Sequence, residues 1–284
     1  LAISFNNVGD HPKAVTLLKS TLATAKANEL NHLLGNIDIG LARVYRKLNE
    51  CAICRDYAKT GLEPLRAQGD CPGMAEAGAY WFLRRPQDGV ACLEKSIRFF
   101  DQTEHVLNSV IAYNNLGINL MLIGEFDRAE EIIERALELA TKSNHVHMAG
   151  ILDSLGEMKI LRGDLDEAQR LLERAVSVAK ERKREWYQAQ AMRNLARCFL
   201  AQGKIAKAAQ TARETIELSK SIGETHYEHM AGLILAESYL RNGSLDECEN
   251  YLKVVEDDDT SSDFFVLGNI QRIRGLAALD TSNK

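Results

Sequence analysis

The chain has 284 residues, of which 45% are hydrophobic and 26% charged, as is ordinary for a soluble globular protein. Its formal net charge of −5 argues against nucleic-acid binding as the main role of its surface. No apolar run approaches the roughly 20 residues that cross a bilayer, and the first residues lack the basic and apolar segments of a secretory signal.

The chain opens with a phrase that recurs much further along. LAISFNNVGD at the start and LARCFLAQGK from Leu195 share the pattern Leu-Ala-x-x-Phe-x-x-x-Gly. In this register Leu1 stands in the middle of a helix, and the final FFVLGNIQRIRGLAALDTSNK resembles the first helix of a unit whose second helix is missing. We therefore expect the chain to be a piece of a larger multidomain protein.

A turn residue recurs at a regular interval. The phrases GEFDRA, GDLDEA, GKIAKA and GSLDEC begin at Gly124, Gly163, Gly203 and Gly243, at spacings of 39, 40 and 40 residues. Earlier matches are less regular, and the one at Arg84 is the weakest. Such a period is typical of repeat proteins. We predict one solenoid over residues 1–284 with about seven repeats, whose turns lie near residues 9, 49, 84, 124, 163, 203 and 243.

Each unit has two helical halves. Before the glycine comes a phrase such as Leu116-Gly117-x-x-Leu120, and after it come small residues seven apart around an apolar one, as in Ala129, Ile133 and Ala136. Spacings of three, four and seven place these residues on one helix face, where small side chains let two helices approach closely. The glycine permits a sharp turn because it tolerates positive φ. We predict about fifteen helices, alternating antiparallel, and no strands.

This pattern resembles the tetratricopeptide repeat (TPR), most strongly from Ala112 to Leu252. The small-residue positions of the second helix, helix B, fall on Ala14, Cys54, Gly89, Ala129, Ala168, Ala208 and Cys248. The period is near 40 residues and not the usual 34, which is similar to TPR arrays of bacterial signalling and transcriptional regulators and of LGN-type G-protein-signalling modulators. The resemblance implies an all-α, right-handed α-α superhelix of antiparallel hairpins, with the first helices, the A helices, along its concave side.

The cysteines do not form a metal-binding pattern. Cys51 and Cys54 form a single C-x-x-C without the further ligands of a structural zinc site. In the repeat register Cys54 and Cys248 occupy the small position of helix B, Cys51 occupies an apolar position, and Cys198 falls within a helix A. We interpret them as buried small hydrophobic residues, and reduced thiols favour a cytoplasmic location.

No motif indicates catalysis. The phosphate-binding G-x-x-x-x-G-K-[ST], G-x-S-x-G and H-E-x-x-H patterns do not occur. His105 and His145 fall near loops between units, and His226 and His229 lie three residues apart in a helix A. A metal site from them is conceivable, but we interpret them as solvated or loop residues. We predict no enzyme activity, no catalytic residue, no metal and no cofactor.

The resemblance also implies where a partner binds. TPR proteins hold peptides on their A helices, at positions just before and just after the Leu-Gly signature. The candidate partner-binding residues are Asn114, Asn115, Ile118, Asp153, Glu157, Gln190, Arg193, Asn194, Arg197 and Glu237.

Two charge pairs stand out among these candidates. Asp153 and Glu157 are four residues apart on one helix, and Arg193 and Arg197 occupy the equivalent positions 40 residues later, with Glu237 flanking Arg197 from the next unit. Like charges at this spacing cost about 0.2–0.5 kcal/mol per pair in an isolated helix. Two interpretations remain open: a ladder of ion pairs that links one unit to the next, or a polar surface that binds a partner peptide.

The sequence thus predicts a non-catalytic protein-interaction or sensory module, the TPR region of a bacterial transcriptional regulator or signalling protein. The alternative is a stand-alone adaptor that binds peptides in its concave groove. We expect a protein or peptide partner, no direct nucleic-acid binding and no membrane binding. Self-association through Leu1–Phe5 or Phe264–Leu279 is plausible, because the cut ends of a solenoid expose apolar faces.

Overall fold

The computed structural model describes residues 10–48, 50–67, 85–103, 105–257 and 264–282. Within these ranges it contains thirteen α-helices and no strand, which confirms the all-α prediction. The predicted turns at residues 9, 49 and 84 lie outside the described residues. In chain order the helices are α1 (His11–Ala27), α2 (Asn31–Lys47), α3 (Cys51–Ala67), α4 (Pro86–Gln102), α5 (Val106–Ile123), α6 (Phe126–Lys142), α7 (Met148–Arg162), α8 (Leu165–Glu181), α9 (Glu185–Ala201), α10 (Ile205–Ser221), α11 (Thr225–Arg241), α12 (Leu245–Asp257) and α13 (Phe264–Ser282).

The described helices fall into two compact units. The first unit contains α1 to α6 and α7 as far as Met158, and the second contains the end of α7 and α8 to α13. In the first unit α5 packs against both α4 and α6. In the second unit each helix from α8 to α13 packs against the next one. One solenoid over the whole chain remains a prediction.

In the second unit the A helices also pack against one another. Helix α11 contacts α9 on one side and α13 on the other. Because α9, α11 and α13 are the first helices of successive repeats, their side chains form a continuous face, which we call the A-helix face of the second unit. The candidate residues of this unit lie on these helices.

The turns within repeats are built as predicted. Gly124, Gly163, Gly203 and Gly243 have φ values of 86°, 83°, 74° and 79°, a conformation that only glycine adopts without steric cost. Each of them lies between a helix A and its helix B. The prediction of sharp, glycine-dependent turns is therefore confirmed at these four positions.

The turns between repeats use the same left-handed conformation, which the sequence did not indicate. Lys183 has a φ of 52° and Gly223 a φ of 65°, and Glu29 and Asn144 are also positive. After Lys183, the N–H of Arg184 donates to the carbonyl of Ala179 at 2.8 Å. This bond is the usual closure of a helix that ends in a left-handed residue, so the backbone geometry is kept even where no glycine is present.

The small positions of helix B let the helices approach closely. Ala129, Ala168 and Ala208 are fully buried, as is Ala14. The α5–α6 contact is so close that a Cβ placed on Gly117 would collide with the side chain of Ile133. The small residues are therefore required by the spacing between helices, as the pattern predicted.

The cysteine positions agree with the repeat register. Cys54, Cys198 and Cys248 are buried, and burial raises the pKa of the Cys198 and Cys248 thiols. The side chain of Cys51 lies outside the described part of the structure. The described thiols pack as small hydrophobic residues, as the repeat register predicted.

Two of the histidines are buried, and one of them contradicts the prediction of solvated or loop residues. His145 is 2% exposed and His229 is 3% exposed. His145 lies in the loop after α6, as predicted, where its N–H bonds back to the carbonyl of Ala140 and its ring lies 5.2 Å from that of His147. His229 lies on α11, which is buried along most of its length. For His229 the prediction was wrong because helical spacing does not indicate which side of a helix another helix covers.

Helix α5 is, among the described helices, long and apolar enough to cross a membrane by length and composition. The sequence analysis found no such segment because asparagines interrupt the apolar run. In the structure 44% of the helix is buried, and it packs between α4 and α6.

Candidate functional site

The predicted site residues lie on four A helices. In the first unit α5 and α7 carry Asn114, Asn115, Ile118, Asp153 and Glu157. In the second unit α9 and α11 carry Gln190, Arg193, Asn194, Arg197 and Glu237. The two predicted charge pairs therefore belong to different units, and a ladder of ion pairs between them remains a prediction.

Burial separates these residues into two groups. Asp153, Asn194 and Glu237 are 1%, 0% and 5% exposed, so their side chains lie beneath the surface. The other seven are partly buried, as expected of side chains that line a binding surface. The three buried residues can support such a surface, but a partner cannot reach them directly.

Arg193 is held by an aromatic ring. Its guanidinium carbon lies 5.6 Å from the centre of the Tyr227 ring on α11, within the range of a cation–π interaction. Among the described residues of the second unit no carboxylate accepts a hydrogen bond from Arg193, and its Nε is buried without an acceptor. Arg193 is therefore positioned by the fold while its donors stay unused.

Gln190 lies one helical turn before Arg193 on the same helix. Its Oε1 is buried and has no hydrogen-bond donor among the described residues. Residues three apart on a helix are neighbours on its surface. We call Gln190, Arg193 and Tyr227 the α9 site. The Gln190 acceptor and the Arg193 Nε donor are both enclosed by the fold.

Tyr227 is itself held in place by a tryptophan. The Trp186 ring lies 5.5 Å from the Tyr227 ring, and its Nε1–H donates to Glu224 Oε2 at 2.7 Å. Glu224 is 1% exposed and stands just before α11. Beside Trp186, burial raises the pKa of Tyr187 to about 12. Trp186 thus packs against Tyr227, and no sequence signal identified Glu224 as the acceptor of its indole N–H.

Glu237 on α11 has a different environment. Its Oε1 accepts from Arg241 Nη2 at 2.6 Å, and its Oε2 accepts from Arg272 Nη2 of α13 at 2.6 Å. Burial alone would raise the pKa of Glu237, but the hydrogen bonds and charges of Arg272 and Arg241 outweigh burial and hold the pKa below its ordinary value. We call Glu237, Arg241 and Arg272 the Glu237 cluster.

The Glu237 cluster differs from the predicted arrangement. The sequence placed Glu237 beside Arg197, whereas both of its oxygens bond to Arg241 and Arg272. Arg241 lies four residues away on the same helix and could have been found by spacing. Arg272 comes from α13, 35 residues later, and no pattern in the sequence indicated it.

The described residues contain no group of three His, Cys, Asp or Glu side chains that could hold a metal ion. The polar chemistry of the described A helices is therefore that of arginines, amides and paired carboxylates. Such groups bind other proteins or small polar ligands by hydrogen bonds and charge.

The repeats, their turns and the A-helix face define a TPR protein. Residues 100–281 match the family model of the MalT-like TPR region, and the chain belongs to that family. No curated protein matches the sequence significantly.

Solved structures support the fold. The chain is similar to a Rap protein complexed with competence and sporulation factor, with 17% identity and a TM-score of 0.67 over 92% of this chain and 80% of that one. It is similar to the Rap conjugation gene regulator of plasmid pLS20 in complex with the Phr* peptide, with 16% identity, a TM-score of 0.66 and coverages of 88% and 78%. The apo form of RapI matches with 14% identity, a TM-score of 0.62 and coverages of 95% and 96%. At these identities the likeness shows a shared fold and no more.

Proposed function

We propose that this TPR region is a non-catalytic interaction module that binds a protein or peptide partner on its A helices. The observation that carries the proposal is the α9 site, where the Arg193 guanidinium lies over the Tyr227 ring and no carboxylate of the second unit accepts a hydrogen bond from it among the described residues. Arginine and tyrosine are among the residues that contribute most to protein interfaces, and here they stand side by side. One of the similar solved structures is a complex with a peptide, which supports the same mode of binding.

We further propose that the module belongs to a cytoplasmic bacterial transcriptional regulator or signalling protein. The match to the MalT-like TPR region supports this context, and the alternative is a stand-alone adaptor. The complete reading frame distinguishes the two. Flanking ATPase or helix-turn-helix sequence supports the regulator, and its absence supports the adaptor. In either case the module itself contacts neither nucleic acid nor membrane.

The binding proposal is tested with a pair of matched double variants. Arg193→Ala with Arg197→Ala removes two cations four residues apart from α9. Arg170→Ala with Arg174→Ala removes two cations at the same spacing from α8, where both side chains are exposed. Peptides selected from a random display library on the wild-type chain serve as probes.

We expect the α9 variant to bind the selected peptides at least about tenfold more weakly, since two interface arginines are lost, and the α8 variant to bind them unchanged. If peptide affinity stays the same in the α9 variant while its melting temperature falls, the site proposal is wrong. The arginines would then only tie the repeats together.

Self-association remains a proposal for the ends of the chain. Leu276 and Leu279 of α13 are 40% and 62% exposed, and exposed apolar residues favour association when they form a patch. Light scattering on a version extended by one repeat at each end tests it. A dimer that disappears on extension shows that the exposed ends alone cause the association.

A further inference from the structure

The α9 site offers a donor and an acceptor side by side. The Nε of Arg193 is a buried donor without an acceptor, and the Oε1 of Gln190 is a buried acceptor without a donor. Both atoms are enclosed by the fold, so a partner reaches Arg193 at its terminal N–H groups. Among the described residues of the second unit no carboxylate accepts a hydrogen bond from these groups.

Tyr227 supports the Arg193 side chain, whose guanidinium carbon lies over the ring, 5.6 Å from its centre. The Tyr227 ring is fixed by Trp186, whose indole N–H is anchored to Glu224. Arg193 is thus oriented before any ligand arrives, so that less side-chain entropy is lost on binding.

The neighbouring charges favour an anion at this site. The Glu237 carboxylate on the same face is 5% exposed, and its oxygens bond to Arg241 and Arg272. Its charge is therefore engaged by those two arginines, and Arg193 carries a positive charge to which an incoming carboxylate is attracted.

We infer that the α9 site binds an acidic side chain of the partner peptide. The Asp or Glu carboxylate accepts hydrogen bonds from the terminal N–H groups of Arg193, whose side chain is only partly buried. An arginine–carboxylate bond is charge-assisted and directional. This inference rests on the proposed peptide-binding function and adds that the peptide carries a negatively charged side chain at the α9 site.

The test uses a phage-displayed library of random 12-residue peptides selected on the full chain. We expect the enriched peptides to share an acidic residue. In synthetic versions of these peptides, replacing that residue by its amide should weaken binding to the wild-type chain about tenfold or more, since a charge-assisted bond becomes a neutral one. On an Arg193→Gln variant the same replacement should change affinity less than about twofold, because the interacting partner is already gone.

Two further variants keep the result independent of folding. Arg193→Lys retains a cation above Tyr227 and should keep part of the preference for the acidic peptide, whereas Arg170→Gln on α8 should keep all of it. Melting curves of every variant show whether the fold is intact. The amide replacement on the wild-type chain needs no variant, so a poorly folding Arg193→Gln does not leave the inference undecided.

The outcomes separate the two proposals. If no peptide is enriched, the proposed peptide-binding function fails, and the acidic-peptide inference fails with it. If peptides are enriched and compete for the A helices, yet bind equally well after the amide replacement, the function stands and the inference is overturned. Equal loss on the wild-type chain and on Arg193→Gln also overturns it, because the acidic residue would then contact another group.

Discussion

The α9 site and the Glu237 cluster occupy neighbouring parts of the same face and treat charge in opposite ways. In the Glu237 cluster one buried carboxylate takes hydrogen bonds from two arginines. In the α9 site the arginine rests on an aromatic ring, and no carboxylate of the second unit pairs with it among the described residues. Charge that is paired within the fold mainly affects stability, whereas charge that is oriented but unpaired is available to a ligand.

The repeat register shows where the difference arises. Arg193 and Arg197 on α9 are equivalent to Leu233 and Glu237 on α11, 40 residues later. Leu233 is 4% exposed and packs in the hydrophobic core with Val266 and Ile270 of α13. A leucine at this position closes the contact with the next A helix, and an arginine at the same position leaves a polar site. The same position is thus packed in the core of one repeat and is polar in another.

The largest expected effect is on the Glu237 cluster. Glu237→Gln removes the charge that holds Arg241 and Arg272. Breaking a buried ion pair costs roughly 3–5 kcal/mol, but these arginines are half-exposed and regain water. We therefore expect a loss of about 2–3 kcal/mol in the free energy of unfolding by urea.

The matched control is Glu249→Gln on α12. The Glu249 side chain is 41% exposed, and its partner Arg274 also bonds to Glu256, so the loss should stay below about 1 kcal/mol. Equal effects of the two substitutions would show that burial of the Glu237 carboxylate contributes nothing special.

Acid should abolish the difference between wild type and Glu237→Gln. The pKa of Glu237 in the folded state lies below its ordinary value of 4.5, so its carboxylate stabilises the fold fully above that pH. The contribution is lost as the pH falls through the folded-state pKa. Melting temperatures from pH 7 to pH 3 should show a constant gap between the two proteins at neutral pH and a narrowing gap below about pH 4.5. A gap that stays constant down to pH 3 contradicts the lowered pKa.

Removing one arginine from each region sharpens the comparison. Arg272→Gln removes a charge-assisted hydrogen bond to Glu237 and should lower the free energy of unfolding by about 1.5 kcal/mol or more. Arg193→Gln removes only a cation–π contact with Tyr227 and should cost about 0.5–1 kcal/mol. Urea unfolding of both variants measures the difference. If Arg193→Gln proves the more costly, Arg193 has a structural partner and the α9 site is not open.

The smallest effect is expected in the turns that lead into the two regions. Lys183 before α9 and Gly223 before α11 share a left-handed backbone, which costs a residue with a Cβ roughly 1–2 kcal/mol. Lys183→Gly relieves that cost in the folded state but raises the conformational entropy of the unfolded chain, which offsets part of the gain. We therefore expect the free energy of unfolding to rise by about 0.5–1 kcal/mol. Gly223→Ala should lose about 1 kcal/mol. Thermal unfolding checks both signs, and a destabilising Lys183→Gly would show that the lysine side chain has a role of its own.

The sequence predicted the features of this protein that depend on local geometry. Four glycines at intervals near 40 residues indicated turns because glycine adopts a left-handed conformation without the steric cost of a Cβ. All four have positive φ. The small residues of helix B indicated close helix packing, and Ala129, Ala168 and Ala208 are buried. The candidate site was predicted as a set of positions, since the A helices follow from the same repeat.

Only the tertiary structure decided how those positions are used. The pairing of Glu237 with Arg272 joins residues 35 apart in the chain, and the burial of His145 and His229 depends on which helix covers them. Neither follows from periodicity, because a helical repeat specifies the direction of a side chain and not the residue that it meets on the next helix. For the same reason the sequence placed Arg193 and Glu237 together as charged candidates on A helices, whereas their surroundings pair Glu237 within the fold and leave Arg193 without a carboxylate of the second unit among the described residues.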